Sequence, residues 1–190
     1  MSGGTCELLS ALSVLLAAVS VKLLDDTIDI GSEDSSTQAR PVYAMLLLWA
    51  ASVLDIQLAG ALFAASYVTG MVSRPLADGR GALPVITESG AVLVFSVLAL
   101  GYCRVLSALA LALAVQLADD AMDHKADMLR GATGLATRFG RVECSLAAPA
   151  FWLIALHLDV RVAGYGALGA AGVWAGEFLY PLCVRRRKGA

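Results

Sequence analysis

Seven long apolar runs, covering about 6–24, 41–54, 56–71, 82–103, 105–118, 144–158 and 162–183, fill most of this 190-residue chain. They constrain the fold more than any other feature. Charged residues make up 16% of the sequence and mean hydropathy is +0.74, whereas a soluble domain carries roughly 25% charged residues. A fold with so few charges cannot clothe its own surface in water, so the chain reads as an integral membrane protein. The runs are rich in Ala, Leu, Val and Gly and do not alternate with period two, which predicts helices rather than a transmembrane barrel. The expected fold class is all-α: a polytopic membrane helix bundle forming one domain over 1–190. The small residues of Gly164–Gly172 would let helices approach closely.

Two charges interrupt the longest apolar stretches. Asp55 divides 41–71 and Arg104 divides 82–118. An unbroken 30-residue helix is about 45 Å long and overshoots a hydrocarbon core roughly 30 Å thick. Turns near both charges, at one membrane face, remove the cost of burying them. Seven spans with the N-terminus outside and the C-terminus inside place twelve Lys and Arg on one side and two on the other. Five spans, the alternative, give ten against three. Seven is therefore the expected number. In both arrangements the acidic clusters described next face the cytoplasm.

Nine of the 16 acidic residues lie in two clusters: Asp25, Asp26, Asp29, Glu33, Asp34, and Asp119, Asp120, Asp123, Asp127. Each cluster closes an apolar run. Asp26, Asp29 and Glu33 share the spacing i, i+3, i+7 with Asp120, Asp123 and Asp127, and one further Asp precedes each set. Such a spacing puts three carboxylates on one helix face, wherever the helix persists that far. The unit recurs 94 positions along the chain.

Carboxylates at a helix C-terminus meet the negative end of the helix dipole and repel one another. A divalent cation relieves both problems. Hard oxygen ligands with open positions suit Mg²⁺, which usually binds through a few carboxylates together with substrate phosphates. One such cluster could be a solvated acidic loop. Two matching ones point to metal chemistry, with Asp25, Asp26, Asp29, Glu33, Asp119, Asp120, Asp123 and Asp127 as candidate ligands.

These paired motifs resemble those of the UbiA superfamily of intramembrane prenyltransferases, NDxxDxxxD followed by DxxDxxxD. The likeness continues in Arg40-Pro41 after the first motif, and in Gly131, Thr133, Leu135, Ala136 and Gly140 after the second. It spans roughly residues 15–143. Departures are Asp25 for the usual Asn, Glu33 for the third Asp, Ala132 where a basic residue is common, and a chain without the family's first and last helices. Arg-Pro also occurs at 74–75, too far on to align with the first motif.

The resemblance implies an isoprenoid diphosphate bound through Mg²⁺ held between the motifs, ionisation to an allylic cation, and capture by a lipophilic or aromatic acceptor. It implies catalytic roles for Asp26, Asp29, Asp120, Asp123 and Asp127. Arg40, Lys125 and Arg130 become candidates for binding diphosphate oxygens. Tyr43, Tyr67, Tyr102, Trp49 and Trp152 are candidate cavity residues or interfacial belt. His124 is a candidate proton carrier or a solvated helix-end residue, and Glu177 an intramembrane acid that snorkels or caps.

Two other classes fit parts of the pattern. CDP-alcohol phosphotransferases also use aspartates and divalent metal, but in one compact motif. A divalent-cation transporter or binding protein would want its acids near the membrane midplane. Nucleic acid is excluded as a partner by the lack of a basic stripe. The four cysteines have no metal-ligand spacing and read as free thiols. No basic residue precedes the first apolar run, which argues against a cleaved signal.

Overall fold

The computed structural model describes the backbone of residues 3–30, 39–78, 82–130 and 135–187. Side chains are described for most of these, among them 4–25, 39–71, 86–124, 135–176 and Met128 and Leu129. The described residues are helical throughout, apart from single-residue breaks and one turn. The helices are α1 (Gly3–Ile30), α2 (Arg40–Asp78), α3 (Ala82–Leu100), α4 (Tyr102–Arg130), α5 (Leu135–Phe139), α6 (Arg141–Leu158) and α7 (Val160–Arg187). Gly4–Asp25, Arg40–Met71, Tyr102–His124 and Arg141–Leu158 are long and apolar enough to cross a membrane, and Ile86–Leu100 is a shorter apolar helix. The chain falls into two compact units, Met1–Ala59 with Tyr165–Ala190, and Gly60–Gly164.

Both interruptions expected from charge are present. Within α2, Asp55 leaves helical geometry (φ −155°, ψ 91°). Its Oδ1 accepts from the backbone N–H of Gln57 (3.2 Å) and Leu58 (3.1 Å), so the carboxylate caps the limb that follows. Between α3 and α4 the break falls at Gly101, three residues before Arg104. Its φ of +91° is a conformation that glycine adopts without steric penalty. Arg104 reaches back to the carbonyl of Leu100 (3.3 Å), one of the acceptors that the ending helix leaves without an intrahelical donor.

In the first unit α1 packs through small residues. Ala17, Ala51 and Ala59 form a fully buried cluster. Across from it, a Cβ at Gly169 would stand 3.0 Å from Val14 and 3.3 Å from Ala18, and one at Gly172 would meet Leu15 at 2.8 Å. The small-residue stretch of α7 thus admits α1, as its composition predicts. In the second unit α4 packs along α6. Leu117 and Ala121 meet Cys144 and Ala148, and further along Ala110 and Leu111 meet Ala155 and Ala163. Among the described cysteines, Cys6, Cys103 and Cys144 are free thiols.

The repeat seen in the acidic motifs extends through the helices. Ser13 donates to the carbonyls of Ala51 (2.8 Å) and Asp55 (3.3 Å). Ser107, 94 positions on, donates to those of Ala155 (2.9 Å) and Asp159 (3.2 Å). Asp159 breaks the chain between α6 and α7 (φ −154°, ψ 105°), and its Oδ1 caps α7 through Arg161 (2.9 Å) and Val162 (3.3 Å). On each acidic-ended helix a buried serine thus bonds to a partner segment that ends in a capping aspartate.

Candidate functional site

The second acidic motif lies wholly within α4, which runs unbroken to Arg130. Positions 120, 123 and 127 therefore share one helix face. Asp119 and Asp120 are half-buried and Asp123 is exposed. Asp127, Lys125 and Arg130 belong to the helix, but their side chains lie outside the described residues.

The chain after α4 folds back onto this motif. The backbone N–H of Leu135, first residue of α5, donates to Asp120 Oδ2 at 2.6 Å. Ala136 is buried against Leu117, Ala121, Cys144 and Ala148. Arg141, which opens α6, donates from Nε to the carbonyl of Ala121 at 3.0 Å. Gly140 turns the chain between α5 and α6 with φ +104°, and the Glu143 carboxylate occupies the space where a Cβ would stand. These contacts give a physical reason for the Leu-Ala and Gly positions after the acids: they seat a short helix whose N-terminus is held by Asp120. One oxygen of Asp120 is thereby committed to the backbone.

The first motif is described in part. Asp25 is exposed near the end of α1. Asp26 and Asp29 are within the helix, with side chains outside the described residues, and Glu33 lies outside them altogether. Arg40 is half-buried at the start of α2. Among the described residues no three His, Cys, Asp or Glu side chains converge as a metal site.

His124 lies one residue beyond Asp123 on α4, and its buried Nδ1 has no hydrogen-bond partner. Of the candidate cavity aromatics, Tyr43, Trp49, Tyr102 and Trp152 are exposed on the helix surfaces, as an interfacial or lipid-facing residue would be. Tyr67 differs: its hydroxyl donates to the Glu88 carboxylate.

Sequence reasoning missed Arg141 and the serine latches. Extending the 94-residue offset beyond the acids would have paired Ser13 with Ser107 and directed attention to the aspartate each one serves.

No protein-family profile matches the chain, and no curated protein or solved structure shows significant similarity to it.

Proposed function

We propose that this chain is a Mg²⁺-dependent intramembrane prenyltransferase of the UbiA type. It would span the membrane seven times, with the N-terminus outside and both acidic motifs on the cytoplasmic face. One observation carries the reading: two apolar runs end in acids at the same i, i+3, i+7 spacing, and the second is continuous helix through all three positions. The seating of α5 on Asp120 supports it, because Leu135 and Ala136, part of the likeness to the family's second signature, pack back onto that motif's helix.

The donor set suits Mg²⁺. Carboxylate oxygens are hard ligands, and their clustering at a helix C-terminus leaves negative charge that a cation offsets. Asp26, Asp29, Asp120, Asp123 and Asp127 would hold the metal, with Asp25, Glu33 and Asp119 in support. When bound, the metal neutralises diphosphate charge and stabilises it as a leaving group.

The chain's own residues do the rest. Arg40, Lys125 and Arg130 would bind diphosphate oxygens not taken by metal. Asp120 would be held in place by its bond to the α5 N-terminus. The apolar helix walls would exclude water from the allylic cation left when the carbon–oxygen bond breaks, so that the acceptor's carbon or oxygen captures it. The proton displaced from the acceptor must pass to a base.

The test is diphosphate release from a panel of prenyl diphosphates by purified protein, with a cell lipid extract as the source of acceptors. Release that requires Mg²⁺ and stops with EDTA is the expected result. A folded sample showing neither release nor Mg²⁺-dependent prenyl diphosphate binding would overturn the reading and direct attention to cation transport.

A further inference from the structure

The two halves of the chain differ in length at one place. Both capping aspartates stand in the same string, Leu-Asp-(Ile/Val)-x-(Leu/Val)-Ala-Gly, at 54–60 and 158–164. Asp26 precedes Asp55 by 29 positions, whereas Asp120 precedes Asp159 by 39. The second half thus carries ten residues more between its motif and its cap. The interval between α4 and α6, 131–140, has that length and holds α5.

At five residues, α5 is too short to hold helical shape unaided, so its order depends on what it touches. Ala136 is buried among Leu117, Ala121, Cys144 and Ala148. The Gly140 N–H closes the far end on the Ala136 carbonyl at 3.1 Å. At the near end the Leu135 N–H donates to Asp120 Oδ2 at 2.6 Å, a charge-assisted bond. That bond joins α5 directly to a carboxylate of the motif.

We propose that α5 is a clasp coupled to the metal through Asp120. The Leu135 N–H positions that carboxylate for a divalent cation, and the cation on the carboxylate in turn holds α5 in place. This rests on the prenyltransferase reading and adds a control on its metal site, with no counterpart in the sequence of the first half. A carboxylate oxygen has two lone pairs, so one N–H does not exhaust Asp120 as a ligand. Partners that orient a ligand in this way carry about 10- to 100-fold of metal affinity. The coupling is reciprocal: the factor by which docked α5 favours metal is the factor by which metal favours docked α5.

Full-length protein in nanodiscs is titrated with Mn²⁺, and bound metal is read by electron paramagnetic resonance. Leu135→Pro removes the N–H at a first helical position, which accommodates proline. Leu135→Ala loses the same side chain and keeps the N–H. Mn²⁺ is expected to bind Leu135→Pro about tenfold more weakly than Leu135→Ala. In the wild type, amide hydrogen exchange within 135–139 should slow about tenfold on adding Mg²⁺. A merely structural α5 would lower Tm in both variants without separating their Mn²⁺ affinities.

Equal affinities in the two folded variants, or exchange at 135–139 indifferent to Mg²⁺, would overturn the proposal. If Leu135→Pro does not fold, the wild-type exchange experiment decides alone. Wild-type protein that binds no Mn²⁺ would overturn the clasp together with the reading it rests on. Mg²⁺-dependent diphosphate release is measured on the same samples. Coupled metal binding without release supports the clasp and counts against the enzyme alone.

Discussion

The two serine latches solve one problem with different charges. In both, a helix breaks at an aspartate whose Oδ1 accepts from the N–H groups two and three residues on. In both, a buried serine 94 positions from its counterpart donates to the carbonyl of an alanine four residues before that aspartate. They differ at Oδ2. Asp55 accepts there from the Ser10 hydroxyl at 2.9 Å, whereas Asp159 faces Arg104 at 3.7 Å. Ser10 and Arg104 are themselves 94 positions apart. The cap and the serine are common to both breaks; the third partner differs. The helix that ends in the second acidic motif is therefore tied to its partner by an ion pair, and the first by neutral hydroxyls.

That contrast ranks the expected effects on stability in detergent. Asp159→Ala removes two backbone caps and leaves Arg104 without its ion-pair partner. It should cost about 3 kcal/mol, a fall in Tm of roughly 6–12 °C by thermal unfolding. Asp55→Ala removes the same caps but frees only a hydroxyl, and should cost about 2 kcal/mol. Equal losses would mean that the ion pair adds nothing.

Gly140→Ala forces a side chain into a positive φ and against Glu143, at about 1–2 kcal/mol. Adding Glu143→Ala should recover the steric part and leave the backbone part. Ser13→Ala and Ser107→Ala should each cost about 1 kcal/mol, and alike, because the two serines make matching bonds. The smallest effects sharpen the comparison most. Asn at position 55 keeps an oxygen for the caps and a group for Ser10, so Tm should hardly move. Asn at 159 loses the ion pair and should cost about 0.5 kcal/mol, since that pair is partly exposed.

Much of this was legible in the sequence, and the reasons are local. Lack of charge points to a membrane and lack of period-two alternation to helices, and Asp55 and Arg104 are too costly in hydrocarbon to sit mid-span, so breaks near them follow from length and charge alone. Gly164–Gly172 reads as a close-packing stripe because its residues have little else to offer, and Gly169 meets Val14 and Ala18 as that reading requires. The second motif's common face follows from spacing once α4 is known to persist. What could not be read is which residue folds back onto which. Nothing in the spacing says that the Leu135 N–H takes one oxygen of Asp120, or that Arg141 reaches the Ala121 carbonyl, because both depend on a chain reversal after α4. Tyr67 and Glu88 stand 21 positions apart on different helices, and no motif links them.

The proposed function requires both acidic motifs to act together on one metal-bound diphosphate. It is tested most directly by measuring Mg²⁺-dependent diphosphate release for the wild-type chain beside Asp26→Asn and Asp123→Asn. Both substitutions preserve side-chain size, and neither residue has a role in the serine latches. Release by the wild type is expected, with a loss of up to about a hundredfold in each variant while Tm stays within a few degrees. Release that persists in either folded variant would contradict it.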